Sequence, residues 1–240
     1  MIEISGVTVL FGGVRGINDL TATLLARITG LVGPNGAGKT TLLNVLSGFV
    51  RPSAGTIKVD GENVLRLPPY RRAAYGIRRT FQTEQVVENL TVWNNVAAVL
   101  DNLPLRGGSR KELIVAALDY VGLAGRSRQI GVELNACDRR MVEIARCIVA
   151  RPRLVMMDEP GAGLSETEAD QLRAVIVGIP EFCGAQVLLV DHDVDLISAT
   201  CEATLVLDFG SRIAYGPTAE VLKDPKVRAA YLGTVEGETQ

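Results

Sequence analysis

Histidine occurs once in 240 residues, and the four cysteines (Cys137, Cys147, Cys183, Cys201) lie far apart and form no CxxC pair. That scarcity speaks against a structural zinc site and against a disulfide framework. Long apolar runs are missing too. Stretches such as Leu154–Met157 and Val187–Val190 fall far short of the roughly 18–20 residues that span a bilayer. The first residues, Met1-Ile2-Glu3-Ile4-Ser5-Gly6, carry no basic region followed by an apolar stretch, so no signal peptide is expected. Nor does one sign of charge dominate. Against 25 Lys and Arg stand 27 Asp and Glu, a formal net charge of −2, which argues against a general nucleic-acid binder. Internal repeats and low-complexity segments are absent. The expectation is a protein of a reducing compartment that does not itself cross a membrane.

What is present is a core. Apolar residues make up 47% of the chain and charged residues 22%, enough to bury a sizeable interior. Strand patterns alternate with helix patterns, which predicts an α/β protein with a mostly parallel sheet. Strands are expected at Ile4–Phe11, Ile28–Val32, within Gly55–Gly61, and at Leu154–Met157, Val187–Val190 and Ala203–Leu207. Helices are expected at Thr40–Leu46 with Gly48 as its stop, at Thr91–Leu100, Arg110–Val121 and Asp138–Ala150, and between the strands at 154 and 187. The last of the named helices would place Met141, Val142, Ile144 and Ile148 on an apolar face and Arg139, Glu143 and Arg146 on a polar one. A helical insertion at 88–150 would then interrupt a core made of 1–87 and 151–240. The tail, Gly233–Gln240, is polar and expected to be mobile.

Three local patterns carry chemistry. Gly33-Pro34-Asn35-Gly36-Ala37-Gly38-Lys39-Thr40 matches G-x-x-x-x-G-K-[ST] without departure, between a predicted strand and a predicted helix. Glycines let successive backbone N–H groups turn toward phosphate oxygens, and the helix start adds its positive dipole end. Lys39 would neutralise the β- and γ-phosphates, and the Thr40 hydroxyl would ligate Mg²⁺. The second pattern, Leu154–Met157 followed by Asp158 and Glu159, is an apolar strand ending in two carboxylates, which emerge beside a phosphate site in an α/β sheet. Asp158 would hold Mg²⁺, and Glu159 would polarise an attacking water. Third, His192 follows the strand Val187–Val190 in the same way, placed to meet a γ-phosphate.

Together these residues resemble the nucleotide-binding subunit of an ATP-binding-cassette (ABC) transporter, in the family's order and over essentially the whole chain. The resemblance implies a P-loop NTPase core with a mostly parallel sheet, an antiparallel β subdomain and an inserted helical subdomain. It implies ATP and Mg²⁺ as cofactors. Gly33–Thr40 stands as Walker A, followed by Thr41; Asp158 and Glu159 stand as Walker B and the catalytic glutamate; His192 stands as the switch histidine. Gln82, in Thr80-Phe81-Gln82, stands as the glutamine that joins core to insertion and shares the metal with Thr40 and Asp158. Phe11 occupies the position where the family stacks an aromatic on adenine, and a simple core or loop phenylalanine is the other reading of it.

Several strings are similar to the ATPase subunits of branched-chain amino acid importers: Phe11-Gly12-Gly13, Gly76-Ile77-Arg78-Arg79-Thr80-Phe81-Gln82, Glu143-Ile144-Ala145-Arg146, Asp191-His192-Asp193 and Gly163-Leu164-Ser165. Ser165 with Glu168 also reads as a capping box. That subgroup implies integral-membrane permease subunits and a second ABC ATPase subunit as partners. It further implies a periplasmic solute-binding protein acting indirectly, no nucleic acid, and a peripheral place on the cytoplasmic face of the bacterial inner membrane. One departure stands out. Where the family carries Leu-Ser-Gly-Gly-Gln, whose serine and glycines meet the γ-phosphate of ATP held by the partner cassette, this chain has Leu134-Asn135-Ala136-Cys137-Asp138. Two further readings therefore stay open: a nucleotide-binding regulatory subunit with little hydrolysis of its own, and a soluble family member not tied to transport.

Overall fold

A computed structural model describes residues 1–232, so the expectation for the tail Gly233–Gln240 lies outside the described residues. The chain opens with a hairpin, β1 (Ile2–Phe11) and β2 (Val14–Leu24), turned at Gly12. Buried Ile2, Ile4, Val7 and Val9 pair with a buried face of Leu20, Ala22 and Leu24, the alternation of a half-buried antiparallel sheet. β2 has no counterpart in the sequence reading, because bulges shift its register against β1 and break the visible alternation. β3 (Ile28–Val32) is buried at every residue, as a strand covered on both faces must be. After it come α1 (Lys39–Ser47), β4 (Ala54–Val59), β5 (Glu62–Asn63), α2 (Pro69–Tyr75) and β6 (Ile77–Arg79). Gly48 stops α1 as expected, in a left-handed conformation with its N–H returned to the carbonyls of Asn44 and Val45.

The next helices differ in detail from expectation. α3 (Val92–Ala97) tightens into a 3₁₀ turn at Ala98–Asn102 instead of running to Leu100 as one α-helix. α4 (Arg110–Tyr120) starts at a full capping box of Ser109 and Glu112. α5 (Ala136–Ile148) begins two residues before the expected Asp138, because Asn135 caps it. β7 (Leu154–Asp158) is buried throughout, and α6 (Glu166–Cys183) follows, with the Glu168 carboxylate accepting from the N–H and hydroxyl of Ser165. The described chain closes with β8 (Gln186–Val190), α7 (Val194–Thr200), β9 (Ala203–Asp208), β10 (Ser211–Pro217) and short helical turns. Among the described residues, no helix is long and apolar enough to cross a membrane.

Two compact units emerge, Met1–Arg72 with the chain from Leu188 onward, and Ala73–Val187. The first holds an antiparallel sheet in the order β2-β1-β4-β5, and strands in the order β10-β9-β3-β8. In it β3 runs parallel to β9, and β10 returns antiparallel. The second holds the parallel pair β6 and β7 and the helices α3 to α6, with α5 packed against α3, α4 and α6. The 88–150 insertion read from the sequence lies inside this second unit.

Candidate functional site

In the first unit the loop Gly33–Gly38 between β3 and α1 is shaped by backbone contacts that only glycine permits. Gly33 has φ 150°, and a Cβ there would lie 2.1 Å from the carbonyl oxygen of Leu207 on β9. Gly38 has φ 102°, and its Cβ would meet the carbonyl oxygen of Gly16 on β2 at 2.6 Å. Gly36 and Asn35 are exposed, and nothing lies within 4 Å of a Cβ built on Gly36, so the loop's outer side is open. Pro34 is half-buried, and its carbonyl accepts from the N–H of buried Ala37, which tightens the turn. Gly38 is the N-cap of α1 and offers no side-chain acceptor, in contrast to Thr91, Asn135 and Asp193, whose side chains cap α3, α5 and α7. The first N–H groups of α1 are thus not consumed by a cap side chain. Lys39 Nζ donates to the carbonyls of Gly33 (2.6 Å) and Pro34 (3.0 Å), folded across the loop. An open glycine cradle, a helix start without a side-chain cap and a lysine bent over them fit a polyphosphate. Thr40 is exposed and Thr41 half-buried at the start of the same helix.

Phe11 ends β1 about half exposed, with its ring against Gly16, where a Cβ would lie 2.8 Å from ring carbon Cε2 and 3.5 Å from Thr41 Cγ2. Its ring therefore stands on the outer surface beside the loop's helix, not in the core. Sequence reasoning passed over Gly16, whose signal would have been a glycine inside an alternating strand. His192 follows β8 with a largely exposed side chain, its Nδ1 3.8 Å from Asp191 Oδ1. Asp191 itself is buried; its Oδ1 accepts from the N–H of Asp193, and burial pushes its carboxyl above the usual carboxylate range.

In the second unit the two carboxylates each have a partner, one from the last residue of β6 and one from the segment that follows it. Asp158 ends β7, and its Oδ2 lies 2.8 Å from Arg79 Nη2 with both side chains under a tenth exposed. Glu159 takes a left-handed φ of 50°, and its Oε2 accepts from Gln82 Nε2 at 2.9 Å. That positive φ re-aims the glutamate away from the strand's ladder, a conformation unusual for a residue with a Cβ. The Gln82 segment is anchored by α5. Arg140, 2% exposed, donates to the carbonyl of Phe81 (3.0 Å) and to Glu143 (2.8 Å), and Glu143 accepts from the N–H of Gln85 (2.8 Å). On the polar face expected for this helix, Glu143 is nonetheless 4% exposed, and burial pushes its carboxyl up despite Arg140 and Arg146. Arg140 and Arg79 were missed by sequence reasoning. The signal for Arg79 was its place three residues before Gln82 at a strand end.

The loop at 134–138 is built as a helix start. Asn135 Oδ1 accepts from the N–H of Asp138 (2.7 Å), Asp138 pairs with Arg126, and Leu134 and Cys137 are buried. Asn135 and Ala136 are exposed.

Comparison with known proteins identifies the family. Residues 19–162 match the family described as ABC transporter, and residues 211–237 match the branched-chain amino acid ATP-binding cassette transporter family. The high-affinity branched-chain amino acid transport ATP-binding protein BraF of Pseudomonas aeruginosa is 35% identical, covering 97% of this chain and 98% of that one. LivG of Escherichia coli, of the same description, is 32% identical over the same shares. The lipopolysaccharide export system ATP-binding protein LptB of Haemophilus influenzae is 34% identical over 90% of each. Among solved structures, an ATP-binding cassette of an ABC transporter in its ADP conformation superposes with a TM-score of 0.85 at 26% identity, covering 97% of this chain and 98% of that one. With the P-loop α/β fold and the antiparallel sheet in place, and with matched segments at 19–162 and 211–237, the chain belongs to the ABC transporter family, among the ATP-binding ATPase subunits of its branched-chain amino acid branch.

Proposed function

We propose that this chain energises the import of branched-chain amino acids or related small amino acids and amides. It would act with integral-membrane permease subunits at the cytoplasmic face of a bacterial inner membrane, served indirectly by a periplasmic solute-binding protein. The observation that carries the solute class is the match at 211–237, together with coverage of BraF over 98% of its length. The similarity to LptB is shorter and lies outside that subgroup, so export of a lipid is the weaker reading.

In this reading Gly33–Thr41 hold the triphosphate, Lys39 neutralises it, and Phe11 stacks on adenine, a contact worth on the order of 1 kcal/mol. Thr40, Gln82 and Asp158 would hold Mg²⁺, which when bound supplies charge neutralisation of the phosphates. Glu159 accepts a proton from water at its carboxylate, and His192 donates toward the γ-phosphate. The open cradle of Gly33–Gly38 and the exposure of Thr40 and His192 support these roles. The position of Phe11 on the surface, with its ring on Gly16, supports stacking over the reading as a core residue.

A second reading rests on one observation, the capped and ion-paired loop at Leu134–Asp138. There the chain would work beside a second ABC ATPase subunit that carries an intact signature. Reconstitution with its permease in vesicles tests the main proposal. ATP-dependent accumulation of leucine, isoleucine or valine is the expected result, and failure to associate with any permease would favour a family member not tied to transport.

A further inference from the structure

The segment leaving β6 meets the end of β7 through two contacts. β6 and β7 run parallel with Arg79 opposite Met156, and the N–H of Thr80 donates to the Met156 carbonyl at 2.9 Å. Because side chains alternate along a strand, Arg79 shares a face with Met156 and with Asp158 two residues on, while Arg78 takes the other face and donates to the Ala73 and Ile77 carbonyls. Arg79 reaches the Asp158 carboxylate, and its guanidinium also lies 5.2 Å from the centre of the Phe81 ring, which holds the arm in place. Three residues after Arg79, Gln82 holds Glu159.

A buried carboxylate without a counter-charge is costly, and a metal ion cannot supply that charge before nucleotide arrives. We propose that Arg79 is a positioning residue that serves as the resident counter-cation of Asp158. It keeps the carboxylate aimed and its charge compensated in the nucleotide-free chain, and gives it up when Mg²⁺ enters with ATP. This inference rests on the reading of Asp158 as a metal-holding residue. Arg79 then competes with Mg²⁺ for one carboxylate, so the metal's contribution to ATP affinity is reduced by the ion pair it displaces. The device makes the carboxylate available only to a cation that arrives with its own phosphate ligands.

The experiment is calorimetric titration of the full chain with ATP, once with Mg²⁺ and once with EDTA, reading the dissociation constant in EDTA divided by that in Mg²⁺. Arg79→Met is expected to raise that ratio about tenfold, because Mg²⁺ no longer competes with a guanidinium. Arg79→Lys, which keeps the charge, should stay nearer to the wild type. An unchanged ratio in Arg79→Met, with both affinities lowered together, would mean mere structural support and overturn the proposal. A wild type whose affinity ignores Mg²⁺ would instead overturn the metal reading of Asp158, and this proposal with it. Should Arg79→Met fold poorly, urea melts without nucleotide or metal decide. Adding Asp158→Asn should restore most of the lost stability, whereas additive losses would show that the two side chains are uncoupled and defeat the idea.

Discussion

The proposed function asks different chemistry of two adjacent acids at the end of β7, and their surroundings separate them. Asp158 is buried against an arginine, whereas Glu159, one residue on, is turned by a left-handed φ toward an amide. Glu159→Gln keeps the shape and can still accept from Gln82, but it loses the charge that, in the proposed function, would take a proton from water. ATP binding should survive while hydrolysis falls at least about 100-fold, read by calorimetry beside single-turnover rates. Lys39→Ala acts on binding instead. It removes the cation folded over the loop, and ATP affinity should fall by about 2–3 kcal/mol; equal affinities would sink the phosphate-loop assignment. At this scale the sequence was most readable where the chemistry is local. Gly33, Gly38, Lys39 and Thr40 sit within one strand-to-helix turn, so their spacing alone brings them together. Arg79 and Arg140 act through neighbours remote in the chain, at Asp158 and at Phe81, and no spacing within one segment announces such a contact.

Among the elements, caps decide boundaries, and neighbouring polar residues compete for the role. Asn135 and Asp138 are both good helix starters, and the structure uses the first as cap and the second at the third helical position. That is why α5 begins earlier than its apolar pattern suggested. Asn135→Ala should cost about 1 kcal/mol by denaturant melts, since the Asp138 N–H would lose its acceptor. The turn between β8 and α7 gives a pH signature. Asp191 is buried with its carboxyl pushed up, so the folded chain holds that proton more tightly than the unfolded one, and stability falls as pH rises through the window between them. The burden is absent in acid, where both states are protonated, and fully present above the raised native value. Asp191→Asn is therefore expected to stabilise the protein near neutrality and to lose that advantage as pH drops to about 4, in paired urea melts.

For the whole molecule, the open issue is what the loop at Leu134–Asp138 does to a pair of cassettes. Charge alone is a weaker obstacle than the bare sequence suggests. An unpaired Asp138 about 6 Å from a phosphate would repel it by roughly 3 kcal/mol per unit charge at an effective dielectric of about 20, but Arg126 pairs with it. Geometry is the stronger one. If Leu134–Asp138 is the signature loop, as its resemblance implies, the Asn135 oxygen is committed to capping α5, Ala136 and Cys137 place Cβ atoms at its two glycine positions, and Cys137 is buried. A phosphate presented by a partner would meet a closed helix start rather than a hydroxyl and free N–H groups. The isolated chain is thus expected to dimerise weakly on ATP and to hydrolyse slowly. Mixed with a cassette of intact signature, its own Gly33–Thr41 half should become the active one, so that Lys39→Ala in this chain abolishes the gain. Replacing the loop by Asn135→Ser, Ala136→Gly, Cys137→Gly and Asp138→Gln should raise the rate of the chain alone, even though glycines in the first turn of α5 cost about 1 kcal/mol each in helix stability. A steady-state ATPase assay decides the matter. If the unmodified chain by itself already turns over at about 1 s⁻¹ or faster, the loop closes on ATP as it stands, and the dependence on a partner signature is wrong.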